Sequence, residues 1–133
     1  MRVALDTNVL VAAVATRGLC ADLLHVILAE HQLILGETVR GELRRVLRAK
    51  LGLDTEVIDE YDSFLERQAI LVTAAEPVPV PVRDPADAPV LAEAVAGQAD
   101  ALVTGDRDLL SVAAKAPIPI VDPRGFWELL RQS

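Results

Sequence analysis

Short apolar runs rich in β-branched residues alternate along the chain with longer segments whose apolar positions recur every three or four residues. Val3-Ala4-Leu5 reads as a buried strand with Asp6-Thr7-Asn8 at its C-terminal end. Helical pattern follows to about residue 15 and again over residues 21–30. Leu33-Ile34-Leu35 is a second strand, closed by Gly36, and the spacing predicts helices over residues 38–51 and 55–68, with Thr38 as the first one's N-cap. Ile70-Leu71-Val72 reads as a third strand. Five of the eight prolines lie between Pro77 and Pro89, and the Val-Pro alternation over residues 78–82 forces extended backbone without a full set of donors. That segment is an edge or a semi-rigid connector within the domain. Asp87 then opens a helix, Ala101-Leu102-Val103-Thr104 is a fourth strand, Ile118-Pro119-Ile120-Val121 a last one, and residues 125–131 a final helix.

Strand–helix alternation with short connections predicts one α/β domain over residues 1–133, a parallel sheet covered by helices on both faces. Ligands of such sheets bind beyond the carboxyl ends of the strands, where the strand order reverses. Asp6 and Asp106 each follow a strand, so both belong at that rim.

Composition narrows the partners. The chain carries 13 basic and 20 acidic residues, net −7, which excludes a nucleic-acid coat acting by bulk positive charge. Its four aromatic residues are too scattered for a base-stacking platform. A single cysteine, Cys20, excludes an intrachain disulfide framework and an all-cysteine metal site. The N-terminal apolar stretch is interrupted by Asp6, Thr7 and Asn8, leaving seven clean residues where a bilayer needs about twenty. A soluble cytoplasmic protein with no membrane contact is expected.

The acids carry the chemistry. Asp87 sits where Asp84-Pro85-Ala86-Asp87-Ala88-Pro89 opens a helix, which equally suits a cap; Asp84 and Asp108 read as turn or cap residues. On the helix from Thr38, the residues Val39, Leu43, Val46 and Leu47 form an apolar stripe and Glu42 lies on its flank, free to pair with Arg45 or to point over the sheet rim toward Asp6. If Asp6, Glu42, Asp87 and Asp106 converge, each pair about 5 Å apart repels by roughly 3 kcal/mol at an effective dielectric near 20. Six such pairs would rival the stability of a small domain, so a cation or a proton must sit among them. An all-oxygen site without His or Cys selects Mg²⁺ or Mn²⁺ over zinc. The run from Thr38 to Lys50 holds five basic residues and one acid, a local +4 against −11 for the remainder. Arg40, Arg44, Arg45 and Arg48 are therefore candidates for binding a polyanion beside Glu42, the plain alternative being a solvated helix face.

Leu5-Asp6-Thr7-Asn8, Glu42 on an arginine-bearing helix, Arg83-Asp84-Pro85-x-Asp87, and Leu102-Val103-Thr104-Gly105-Asp106-Arg107-Asp108-Leu109-Leu110, in that order, resemble PIN-domain ribonucleases, most of all the toxins of type II toxin–antitoxin pairs. The resemblance covers nearly the whole chain. It implies a three-layer α/β/α sandwich with a central, mostly parallel sheet, and cleavage of single-stranded RNA with one or two Mg²⁺ or Mn²⁺ ions to leave 5′-phosphate and 3′-hydroxyl ends. By position Asp6, Glu42, Asp87 and Asp106 match the family's acidic quartet, catalytic and metal-binding, with Asp108 as a further metal ligand. Asn8 and Thr104 match polar positions near the metal, and Thr7 a helix cap. A cognate antitoxin offering Arg or Lys to the acids, and a homodimer, are also implied. Two other readings compete. A phosphohydrolase needs a second Asp at position 8, which is Asn8, and a receiver needs an Asp after its third strand, where Thr73 stands. In a non-catalytic interaction module the acids would only cap helices.

Overall fold

Buried strands without polar alternation are what a sheet covered on both faces requires, and the computed structural model, described over residues 1–73 and 75–132, has five of them. They are β1 (Arg2–Leu5), β2 (Gln32–Gly36), β3 (Ala69–Val72), β4 (Ala101–Val103) and β5 (Ile120–Val121). All pair in parallel in the order β3-β2-β1-β4-β5, with Val3 between Leu33 and Ala101 and Leu5 opposite Val103. The chain runs outward from β1 to β3, then returns to the other side of β1 as β4. With right-handed crossovers this reversal puts helices on both faces of the sheet and opens a crevice beyond the ends of β1 and β4.

The helices are α1 (Thr7–Ala15), α2 (Leu19–Glu30), α3 (Glu37–Ala49), α4 (Thr55–Gln68), α5 (Asp87–Ala96), α6 (Arg107–Leu110) and α7 (Pro123–Gln132). The α3 stripe buries Val39, Leu43 and Leu47 as its spacing predicts. α3 starts one residue earlier than expected, after Gly36, so Thr38 lies inside the first turn and is not the N-cap. Its far end closes with Gly52 at φ +63°, a conformation that favours glycine, while the Leu53 N–H reaches back to the Leu47 carbonyl at 3.1 Å. Along α4 only some of the apolar residues at helical spacing are covered: Ile58 and Leu65 are buried, whereas Val57, Tyr61 and Phe64 face outward. The Val-Pro segment forms no strand among the described residues. Its valine N–H groups instead bond two residues back, Val80 to the Val78 carbonyl and Val82 to the Val80 carbonyl, both at 2.8 Å. Among the described residues no single helix is long and apolar enough to cross a membrane, and the most apolar pair, α1 with α2, breaks by 103°.

α4 is fastened to α3 by charge. The Arg40 guanidinium grips Asp62 with two bonds of 2.7 and 2.9 Å and reaches Glu66 at 2.9 Å, while Arg44 meets Asp59 at 2.6 Å. Asp62 is only 19% exposed, and Arg40 holds its carboxyl below the usual carboxylate range. Bidentate, half-buried pairs of this kind outrank ordinary surface ion pairs. Arg40→Ala is expected to lower stability by about 1–2 kcal/mol in urea melts, more than Arg48→Ala does.

Candidate metal centre

The strand ends supply the first half of the site. Asp6 leaves β1 as the N-cap of α1, its own N–H bonded to the Val103 carbonyl of β4 at 2.9 Å. Its Oδ1 accepts the Thr7 N–H at 2.7 Å. Its Oδ2 accepts the Thr104 hydroxyl at 2.7 Å and the Asn8 amide at 3.1 Å. Asn8 completes the stitch through its Oδ1, which accepts the Gly105 N–H at 2.9 Å, and Thr104 Oγ1 accepts the Asp106 N–H at 2.9 Å. Asp106 in turn caps α6, taking the Asp108 N–H at 2.8 Å. Asp6 and Thr104 are buried, so these bonds act in low dielectric, where they fix both side chains firmly. Asn8 and Thr104, expected beside the acids, are what orients Asp6. Thr7 is the first residue of α1 and not its cap, and its hydroxyl is buried without a partner.

The second half arrives from the sheet's other face. Asp84 makes a turn in which its carboxyl accepts the Ala86 N–H at 3.0 Å and its carbonyl accepts the Asp87 N–H at 3.0 Å. That turn delivers Asp87 as the first residue of α5, 7% exposed, with Oδ2 buried and unpartnered. Oxygens of Asp84, Asp87 and Asp108 lie within 4.8 Å of one another. Asp108 thus faces the acids as the family resemblance implies. Asp84, expected only to shape the turn, both shapes it and joins the cluster; the Asp-Pro-x-Asp spacing carried that signal, since one tight turn brings its two carboxyls together.

Glu42 comes in from α3, half-buried, and borders the same cleft of about 500 Å³ as Asp6, Asp84, Asp87 and Asp106. The Glu42–Arg45 pairing weighed from the sequence does not form among the described residues. The cleft continues past Val11 and Val46 to Lys50 at the end of α3. Of the four arginines, Arg40 and Arg44 bind α4 acids and Arg48 donates to Thr55 Oγ1 at 3.1 Å, whereas Arg45 stands exposed beside Glu42 over a shallow depression.

Electrostatics follows from the donor count. Asp6 accepts three bonds and Asp106 one, but Asp87 Oδ2 accepts none. Burial, a hydrogen bond shared with Asp106, and then the charges of Asp106, Asp6 and Asp84 push the Asp87 carboxyl up to about 7. Proton storage on Asp87 is how the ion-free cluster tolerates itself. The donor set is all oxygen and includes a buried carboxylate atom with no partner, and it suits a hard divalent cation such as Mg²⁺ or Mn²⁺.

Because the folded state holds a proton on Asp87 that the unfolded chain releases near pH 4, the contribution of Asp87 to the stability of the ion-free protein is full below that value and is lost as pH rises through about 7. Urea melts in EDTA should show this loss, and Asp87→Asn should abolish it, leaving the variant about 1–3 kcal/mol more stable than wild type at pH 8. Mn²⁺ should act in the opposite sense, binding more tightly as the proton leaves.

Comparison with known proteins agrees with this architecture. No curated protein matches the chain. Among solved structures, VapBC2 of Rickettsia felis, determined with a DNA fragment from its promoter, superposes with a TM-score of 0.65 at 19% identity over 92% of this chain and 98% of its own. VapBC-1 of nontypeable Haemophilus influenzae gives a TM-score of 0.65 at 15% identity, covering 93% and 99% of the two chains. FitAcB of Neisseria gonorrhoeae gives 0.55 at 15% identity, covering 91% and 97%. At these identities the likeness is one of fold. The PIN domain family model matches residues 2–108, from β1 through the last acid of the cluster, and the chain is a member of the PIN domain family.

Proposed function

We propose that the protein is a divalent-metal-dependent endoribonuclease acting on single-stranded RNA, and the toxin of a cytoplasmic toxin–antitoxin pair. The observation that carries this reading is the meeting of Asp6, Glu42, Asp87 and Asp106 in one cleft, with an Asp87 oxygen buried and unpartnered. Asp6, Glu42, Asp87 and Asp106 would hold Mg²⁺ or Mn²⁺, with Asp108 and Asp84 beside them. When bound, the ion supplies Lewis acidity toward water and the scissile phosphate. The chain's own residues do the rest. Thr7, Asn8 and Thr104 hold the Asp6 carboxyl in a fixed orientation at the cleft. Asp87, its Oδ2 unpartnered, would serve as a ligand in its deprotonated form. Glu42 presents a carboxylate with no arginine on it, able to orient an attacking water. The products would carry 5′-phosphate and 3′-hydroxyl ends.

A polyanion reaching an acidic protein needs local positive charge. Arg45 and Lys50 support that role best, since Arg40 and Arg44 are engaged by α4 and Arg48 by Thr55. The relatives with the same fold include VapBC assemblies, which supports a small protein partner, and an antitoxin side chain of opposite charge, Arg or Lys, is what the acidic cleft would accept. Homodimerisation belongs to the same proposal.

Labelled single-stranded RNA incubated with the protein and Mn²⁺ should be cut, and EDTA or Asp6→Asn should abolish cutting. Intact RNA throughout, with no Mn²⁺-dependent thermal shift, would instead favour a non-catalytic interaction module. Arg45→Ala should weaken RNA binding across sequences and reduce the slope of log affinity on log salt by about 0.7. Arg40→Ala should leave that slope unchanged.

A further inference from the structure

The first turn of α3 is capped from another helix. Gly36 at its N-cap has no side chain to offer, so the leading N–H groups need partners elsewhere. Glu93, on α5, provides one. Its Oε1 accepts the Thr38 N–H at 2.9 Å and its Oε2 accepts the Thr38 hydroxyl at 2.5 Å. Glu93 is 6% exposed and has no cationic partner among the described residues, so these two donors and the positive end of α3 are what compensate its burial. Gly36 is part of the same device. A Cβ there would collide with Glu93 Oε1 and lie 2.8 Å from its Cβ, so the carboxyl reaches α3 only across a glycine.

A Ser or Asp at residue 36 would cap α3 from within and leave α5 free. The cap from α5 does something a local cap does not: it fixes one helix against the other. Glu42 lies one turn beyond Thr38 on α3, and Asp87 opens α5 six residues before Glu93. Both acids border the same cleft. We infer that Glu93 is a positioning residue for the acidic centre, clamping the start of α3 to α5 and so setting where Glu42 stands relative to Asp87. This rests on reading the centre as a divalent-metal site.

The test is Mn²⁺ affinity of the full-length chain, read by electron paramagnetic resonance of the free ion, alongside thermal melts. Wild type and Glu93→Gln, which keeps an acceptor for the Thr38 N–H, should bind within about threefold of each other. Glu93→Ala and Gly36→Ala should lose about tenfold, the usual scale for removing a group that orients metal ligands. Gly36→Ala removes no carboxylate from the chain while displacing Glu93 from α3, and keeps the test decisive if Glu93→Ala does not fold. Variants that melt earlier yet bind Mn²⁺ as wild type does would overturn the inference and leave Glu93 a purely structural cap. A wild type whose Mn²⁺ binding is absent, or unmoved by Asp6→Asn, would overturn the metal reading itself and the inference with it.

Discussion

Mutual repulsion among carboxylates at the reversal point between β1 and β4 is the constraint the rest of the structure answers. Each acid is handled differently. Asp6 is surrounded by donors from both strand ends, so its charge is compensated by hydrogen bonds that cost nothing to rearrange when a ligand arrives. Asp106 takes one N–H from the helix it caps. Asp87 receives nothing at Oδ2 and is the group on which a proton is held. Burial and the neighbouring like charges therefore act most strongly on Asp87, the carboxyl with an unpartnered oxygen. The result is an acidic centre eased by a proton on Asp87, and α1, α5 and α6 all begin at it.

The same economy governs the basic helix. α3 and its C-terminal Lys50 carry an excess of positive charge, and read alone the helix resembles a polyanion-binding face. α4 packs beside it with five acids and one base, and Arg40 and Arg44 spend their charge there. The α3–α4 pair is close to neutral, held together by the ionic contacts that the sequence alone offers as RNA contacts. Cationic side chains of α3 that meet no acid among the described residues are Arg45 beside Glu42, Lys50 at the cleft and Arg48, whose partner is the neutral Thr55 hydroxyl. On the proposed function, these cations would draw a phosphate chain to the edge and leave the acidic pit for a cation.

The parallel sheet, the helix following each strand and the rim position of Asp6 and Asp106 were legible because period and chain order decide them: buried strands lack alternation, and ligand sites follow strand ends. That Asp6, Asp87 and Asp106 border one cleft was legible for the same reason, since all three stand at element boundaries that the pattern locates. What was hidden is pairwise and long-range. Thr38 looks like a cap because it precedes an apolar stripe, but the cap comes from Glu93, fifty-five residues later, and no local pattern records it. Asp84 in the cluster and Arg40 on Asp62 are likewise facts of tertiary contact. Tyr61 and Phe64 repeat at helical spacing yet face outward, because an apolar period tells which residues share a face and not whether anything covers it.

The proline-rich connector shows how the last acids reach the centre without a strand to guide them. A parallel sheet needs a long crossover from β3 to β4, and a flexible one would leave Asp84 and Asp87 to pay a large ordering entropy before any cation could gather them. Alternating prolines remove that freedom in the unfolded chain as well as the folded one, because each fixes φ in both. The intervening valines close their N–H groups on carbonyls two residues back, so the segment satisfies its donors locally and needs no neighbouring strand. Asp84-Pro85 then ends it in a turn whose bonds to Ala86 and Asp87 start α5. Stiffness in a segment outside the sheet thus does for Asp84 and Asp87 what the strand ends do for Asp6 and Asp106.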